Sequence, residues 1–204
     1  MSGLRAKHRA DRHGRILEAA SDLFRTAGYE GARIDAIAEQ ADVSVGTIYN
    51  YYRNKGDILV AIVSMEVNEV LNAGRGVVAA PPANVGDALD ALIGIYIGHS
   101  LIYLSKAMWR QAMATSTMQP ESPFGLTYSA LDRDLTDQTC ALIERLQGLG
   151  LVRPDADARA AGELVFNNMN MMFIEFVKRE QMEPSELRAA IRRQNKVLVD
   201  AIRV

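Results

Sequence analysis

The chain has 204 residues, 49% of them hydrophobic, and a formal net charge of −2, enough for one large or two modest domains with packed cores. Its single cysteine, Cys140, excludes an internal disulfide and any metal site built on paired thiolates. The longest apolar stretch, near Leu92 to Leu104, is broken by Gly94, Gly98, His99 and Ser100, and the first residues lack a signal-peptide core, so no membrane contact and a reducing cytoplasm are expected.

Charge is informative only locally. Lys and Arg number nine against eight Asp and Glu through Ile58, and fourteen against seventeen afterwards. Within the first fifteen residues, however, Arg5, Lys7, Arg9, Arg12 and Arg15 oppose only Asp11, with His8 and His13 interleaved. Such an arm is either a solubilising tail or a nucleic-acid contact, and a neighbouring recognition helix favours the second.

Ile16, Leu17, Ala20, Leu23, Phe24 and Ala27 repeat at helical spacing, and Gly28 follows as a stop signal. Ile34, Ile37, Ala38 and Ala41 mark a second helix of about two turns. Asp42-Val43 is too short a break for anything but a tight helix-turn-helix. A third helix then starts at Ser44, a good N-cap, with Ile48 and Tyr52 on its inner face. Its outer face carries Val45, Thr47, Tyr49, Asn50 and Tyr51. A solvated face would carry Glu and Lys; hydroxyl, amide, phenol and aliphatic groups suit base edges and phosphate oxygens. This stretch reads as a DNA-recognition helix, with Asn50 able to pair with adenine and Tyr51 and Lys55 aimed at phosphate.

Asn54-Lys55-Gly56-Asp57 opens the next helix as a variant capping box, and its apolar pattern runs to about Ala73, where Gly74 and Gly76 weaken it. Pro81-Pro82 and Asn84 mark a break. From Val85 to about Met118 the pattern is apolar almost all round, with a break expected near Ser105. A loop at Gln119–Pro123 precedes a helix carrying Tyr128, Leu131, Leu135, Leu142, Ile143 and Leu146. Pro154-Asp155 is expected to start a helix reaching about Glu180, and Pro184-Ser185 starts the last. No strand pattern, internal repeat or low-complexity segment is present, so the fold class is all-α.

The residues Arg15-Ile16-Leu17-Glu18-Ala19-Ala20, Leu23-Phe24, Gly28-Tyr29, Ile37-Ala38 and Val43-Ser44-Val45-Gly46-Thr47-Ile48-Tyr49, followed by Tyr52 and Lys55, resemble the DNA-binding domain of the tetracycline-repressor (TetR) family of bacterial transcriptional regulators. The resemblance runs from about Arg12 to Leu59 and is only architectural beyond. Two positions depart from the family pattern. Arg33 stands where a capping, phosphate-touching Thr is usual, so a cap is lost while a cationic phosphate contact becomes available. Asp42 replaces the usual turn Gly.

The resemblance implies an N-terminal helix-turn-helix domain, 1–58, and a helical regulatory domain for ligand binding and dimerisation, 59–204, whose two closing helices pair with their symmetry mates. It implies a sequence-specific regulator, a repressor released from a near-palindromic duplex operator by a small, mostly apolar effector. DNA contacts are expected from Arg33, Ser44, Val45, Thr47, Tyr49, Asn50, Tyr51 and Lys55.

No nucleophile, acid/base pair or metal constellation stands out, so an enzyme, a metal and a cofactor are not expected. The cluster of Met and aromatic residues after Val85 reads equally as plain core or as an adaptable apolar pocket. On the pocket reading the effector residues are Tyr96, His99, Tyr103, Trp109, Met113, Tyr128, Asn167 and Asn170. For His99 alone, a hydrogen-bonded core histidine is the ordinary alternative. Asn167, Asn168 and Asn170 interrupt an apolar helix, and at least one requires a partner from neighbouring backbone, the matching helix across a dimer interface or a polar group of an effector. The rival reading is a ligand-independent, structural DNA-binding dimer.

Overall fold

A computed structural model describes residues 2–204, with side chains described for Lys7 and for residues 11–204. The side chains of Arg5, His8 and Arg9 in the basic arm lie outside the described residues. Among the described residues ten helices follow in chain order: α1 (Ser2–Thr26), α2 (Gly28–Gly31), α3 (Ile34–Gln40), α4 (Val45–Tyr49), α5 (Lys55–Ala79), α6 (Val85–His99), α7 (Lys106–Met118), α8 (Pro123–Gly148), α9 (Ala158–Lys178) and α10 (Pro184–Ile202). Among the described residues the only β-type pairing is an isolated bridge between Val152 and Arg203. The all-α expectation holds.

The sequence signals account for most boundaries. Ser44, Asn84, Ser105 and Asp157 each accept a backbone N–H from the third residue on, which satisfies one of the unpaired donors at a helix start. Arg33 makes no such bond at the start of α3, as its side chain requires. Asp42 adopts φ 51°, the left-handed turn conformation expected there.

Three expectations need correction. The helix from Ile16 begins instead at Ser2, so the backbone of the basic arm is helical from there onward. Helix α5 does not fade at Ala73 but continues through Gly74 and Gly76 to Ala79. Helix α9 starts at Ala158, not at Pro154, because Asp157 caps it while residues 154–156 form a turn.

The chain divides into two compact units: Met1–Met65 with Ile102–Tyr128, and Glu66–Leu101 with Ser129–Val204. In the first, Ile16, Leu17, Ala20 and Phe24 of α1 are buried with Ile37 and Ala38 of α3, Ile48 of α4 and Ile58, Leu59 and Ile62 of α5. The segment before α7 is tied to α1: the Ser21 hydroxyl donates to the Tyr103 carbonyl, and the Arg25 guanidinium donates to the Ile102 carbonyl at 2.6 Å. Helix α7 also packs on α2.

In the second unit α10 packs on both α6 and α9. Arg188 of α10 forms a two-point contact with Asp90 of α6 at 3.0 and 2.8 Å. Arg192 reaches Asp87 at 3.0 Å. Between α9 and α10 the Asn168 amide donates to the Asn195 carboxamide oxygen at 2.9 Å, with Asn195 buried. Helices α8 and α9 meet at backbone contact, since a Cβ on Gly162 would stand 2.5 Å from the Cys140 Cα. A Cβ on Gly74 would stand 2.3 Å from the Gln138 side-chain oxygen and 2.9 Å from a Leu92 methyl, so those side-chain ends would have to shift to admit a larger residue.

Candidate nucleic-acid interface

The region from Ala32 to Tyr52 builds a short helix against a small core. The Asp42 turn ends α3, and Ser44 then caps α4 by accepting the Thr47 N–H at 3.1 Å. Its hydroxyl also lies 2.8 Å from the Thr47 hydroxyl. Ile48 and Tyr52 are buried, which turns the opposite side outward: Val45 is 39% and Tyr49 55% exposed. An aliphatic and a phenol at that exposure cost hydration without burying anything in this chain. The arrangement fits a surface that becomes covered by a partner.

The predicted contacts fall into three groups. Val45, Thr47, Tyr49 and Asn50 are all exposed or half-exposed along α4, and Tyr51 is half-buried beside them. Arg33 is exposed, but Asp35 engages its guanidinium at two points, 3.0 and 2.6 Å. That pair holds the Asp35 carboxyl below its ordinary range, mainly through the hydrogen bond from Arg33. Lys55, expected at a phosphate, lies against backbone within the chain. Its ammonium donates to the Tyr29 and Glu30 carbonyls at 2.8 and 3.0 Å and lies 5.0 Å from the Tyr29 ring centroid. It therefore closes the C-terminal end of α2, where orphan carbonyls and the helix dipole favour a cation.

The capping-box variant is shifted by one residue. Asn54 accepts the Asp57 N–H at 3.0 Å, but the Asp57 carboxylate takes the Arg53 N–H at 3.0 Å and the Arg53 side chain at 3.1 Å.

The eight residues assigned to an effector divide between the units. Tyr103, Trp109, Met113 and Tyr128 belong to the first: Trp109 is buried in α7, Met113 is half-buried one turn on, and the Tyr128 ring stacks on Phe124 at 6.5 Å. Tyr96, His99, Asn167 and Asn170 belong to the second. Tyr96 donates to the Gln138 side chain at 2.7 Å, and Gln138 in turn donates to the Leu71 carbonyl at 2.8 Å. Burial pushes the Tyr96 phenol well above its usual range, so it acts as a donor throughout.

His99 is the hydrogen-bonded histidine anticipated as its ordinary reading, with Nδ1 2.8 Å from Glu66 and Nε2 3.3 Å from Glu69. Asn167 is exposed, in register with exposed Leu164 and Met171 on one stripe of α9, whereas Asn170 is half-buried. The amide paired inside the unit is Asn168.

Sequence reading missed three polar groups on inward stripes. Glu66 is buried one turn after Ile62, Gln138 bridges α6 and α5, and Asp132 occupies the stripe of Tyr128, Leu135, Thr139 and Leu142. Burial raises the Asp132 carboxyl to about 6. The i, i+4 step from Ile62 to Glu66 and from Tyr128 to Asp132 was the available signal. Among the described residues no His, Cys, Asp and Glu group could hold a metal ion, and no helix is long and apolar enough to cross a membrane.

The described residues thus form a capped helix-turn-helix on a small core within an otherwise helical chain. Residues 16–62 match the family model described as bacterial regulatory proteins, tetR family. The matched stretch is thus similar to the N-terminal domain of that family. It is 29% identical over 136 residues to the HTH-type transcriptional repressor KstR of Rhodococcus jostii (strain RHA1), a match that covers 67% of this chain and 58% of that relative. The alignment therefore spans little more than half of the relative's length.

Solved structures extend the likeness of fold to nearly the whole chain. A regulator assigned to the TetR family from Mesorhizobium loti MAFF303099 superposes with TM-score 0.77 at 18% identity, covering 96% of this chain and 98% of the other. The transcriptional regulator FadR from Bacillus subtilis, solved with stearoyl-CoA, gives 0.67 at 21% identity, with 92% and 98% covered.

Proposed function

We propose that the protein is a sequence-specific DNA-binding transcriptional repressor that acts as a homodimer and leaves its operator when a small, mostly apolar effector binds. The observation that carries this reading is α4, a capped helix whose inner residues are buried while Val45 and Tyr49 stand exposed on its outer side. Those two side chains are the base-reading candidates: Val45 for apolar contact with thymine methyl groups and Tyr49 for a base edge or a neighbouring phosphate. One five-residue helix covers only a few base pairs, so discrimination among genomic sites requires two copies on a two-fold site.

Exposed Leu164, Asn167 and Met171 on α9, with exposed Val197 on α10, supply an apolar face suited to a second copy. The FadR structure with stearoyl-CoA supports an apolar effector for this fold. The candidates for contacting it are Trp109 and Met113 of α7 and Tyr128 of α8, whose polarizable and aromatic groups adapt to an acyl chain.

Selection from a randomised duplex pool tests the reading. It should recover two inverted half-sites about one helical turn or somewhat more apart, and stearoyl-CoA or a shorter acyl-CoA should release the selected duplex. Recovery of no sequence preference, or of a single half-site bound by a monomer, would overturn it.

A further inference from the structure

The carboxamide of Gln138 on α8 joins three helices. Its oxygen accepts the Tyr96 hydroxyl of α6 at 2.7 Å, and its nitrogen donates to the Leu71 carbonyl of α5 at 2.8 Å. Only one orientation of the amide suits both partners, because a flipped group would set its oxygen against the Leu71 carbonyl. Tyr96 is buried, and burial keeps its phenol protonated, so the closing donor is always present. One turn past Leu71, a Cβ on Gly74 would stand 2.3 Å from the Gln138 oxygen. The space that Gly74 leaves vacant is the space the carboxamide occupies.

Two features leave this junction able to open. Gly74 and Gly76 both lie in the second half of α5, and glycine is the weakest helix former after proline. A cleft of approximately 510 Å³ also lies between α5 and α8, with Leu71, Asn72, Arg75, Asp134 and Gln138 on its walls. Gln138 is half-buried. A carboxamide that swings into the cleft exchanges its protein partners for water and strands no donor of its own.

Helix α5 contributes to both compact units. Its residues up to Met65 lie in the first, where Ile58, Leu59 and Ile62 are buried in the core that carries α4, and its residues from Glu66 onward lie in the second. A continuous helix carries a restraint from one half to the other. We propose that Gln138 is a positioning residue for DNA binding: its carboxamide, closed by Tyr96, latches the second half of α5, and opening the latch lowers affinity for the operator. The proposal rests on the DNA-binding and effector reading above and supplies its two-state element. An effector that favours the released state must, by linkage, bind more tightly once the latch is opened.

The test uses the full chain and three substitutions. Gln138→Glu keeps the size and the acceptor for Tyr96 but sets an oxygen against the Leu71 carbonyl. Tyr96→Phe removes the closing hydroxyl, and Gly74→Ala fills the space of the carboxamide while strengthening α5 as a helix. In the unliganded protein, Gln138→Glu should speed amide hydrogen exchange across residues 72–79 by on the order of tenfold and leave α9 and α10 unchanged. Each variant should bind a duplex selected from a randomised pool at least about fivefold more weakly, and should bind stearoyl-CoA more tightly by a similar factor. Gln138→Glu placed in a Tyr96→Phe background should cost less than about twofold, as expected of two groups in one latch. In Gly74→Ala the melting temperature should hold or rise while duplex affinity falls, which loss of packing alone would not produce. Unchanged exchange at residues 72–79 would overturn the latch. Unchanged duplex affinity in Gln138→Glu, independent effects in the double variant, or weaker duplex binding with unaltered stearoyl-CoA binding would overturn its role in DNA release. Failure of the unsubstituted chain to bind any duplex, or to bind stearoyl-CoA, would instead remove the functional reading beneath it, and the exchange measurement would still decide the latch.

Discussion

Lys55 shows how a residue at a family-typical position can serve the fold before it serves a ligand. Its ammonium satisfies two carbonyls at the end of α2, bonds that contribute on the order of 1–3 kcal/mol when the donor is charged. Lys55→Met should therefore lower the melting temperature and weaken DNA binding, yet leave the salt slope of binding intact; a slope smaller by about one would return Lys55 to the phosphates. Asp132 illustrates the opposite situation, a half-buried carboxyl whose titration is governed by desolvation. Its folded value of about 6 lies above the ordinary carboxylate value near ~4. The folded state thus binds the extra proton between those values, and stability falls as pH rises from about 4 to about 6, a loss on the order of 2 kcal/mol that is complete above 6. Asp132→Asn should flatten that window and raise stability at neutral pH, read by denaturant unfolding at several pH values.

At the scale of elements, helix starts were legible because capping is local: Ser44, Asn84 and Ser105 each act within three residues of themselves. Helix continuation was not. Two glycines should weaken α5 by roughly 1 kcal/mol each, but Gly74 packs against side chains of α6 and α8, 18 and 64 positions away in sequence. The three asparagines of α9 were legible as a problem and not as a solution. Helical spacing separates Asn168 from Asn167, but only the packing of α10 reveals Asn195 as its partner. Asn195→Leu should destabilise by about 1–3 kcal/mol because it strands a half-buried amide, and the double change Asn168→Leu with Asn195→Leu should recover much of that loss. Equal losses in single and double variants would show that the pair contributes nothing beyond its packing.

For the whole molecule, sequence separation hides which segments share a compact unit. The segment 102–128 belongs to the compact unit of the N-terminal helices through hydrogen bonds to backbone carbonyls of residues 102 and 103. Carbonyl acceptors carry no side-chain signature, so no pattern could announce them. The residues proposed for an effector are correspondingly harder to group than those proposed for DNA, most of which lie within one contiguous stretch. The exposed stripe of α9 gives the strongest expectation for assembly: Leu164→Glu combined with Val197→Glu should yield a folded monomer in sedimentation analysis, with affinity for a two-half-site duplex reduced by at least a hundredfold. A variant that remains dimeric would place the interface elsewhere.

The close approach of α8 and α9 has a practical chemical consequence. Cys140 sits beside Gly162 at backbone contact, is buried, and burial is the chief cause raising its thiol above the ordinary range, so little thiolate forms and alkylating reagents find no path to the sulfur. The native chain should resist maleimide while the unfolded chain reacts at one site. A thiol introduced at an exposed position such as Ala201 could then carry a fluorophore or spin label with Cys140 left in place, allowing distances between copies to be followed as DNA and acyl-CoA are added.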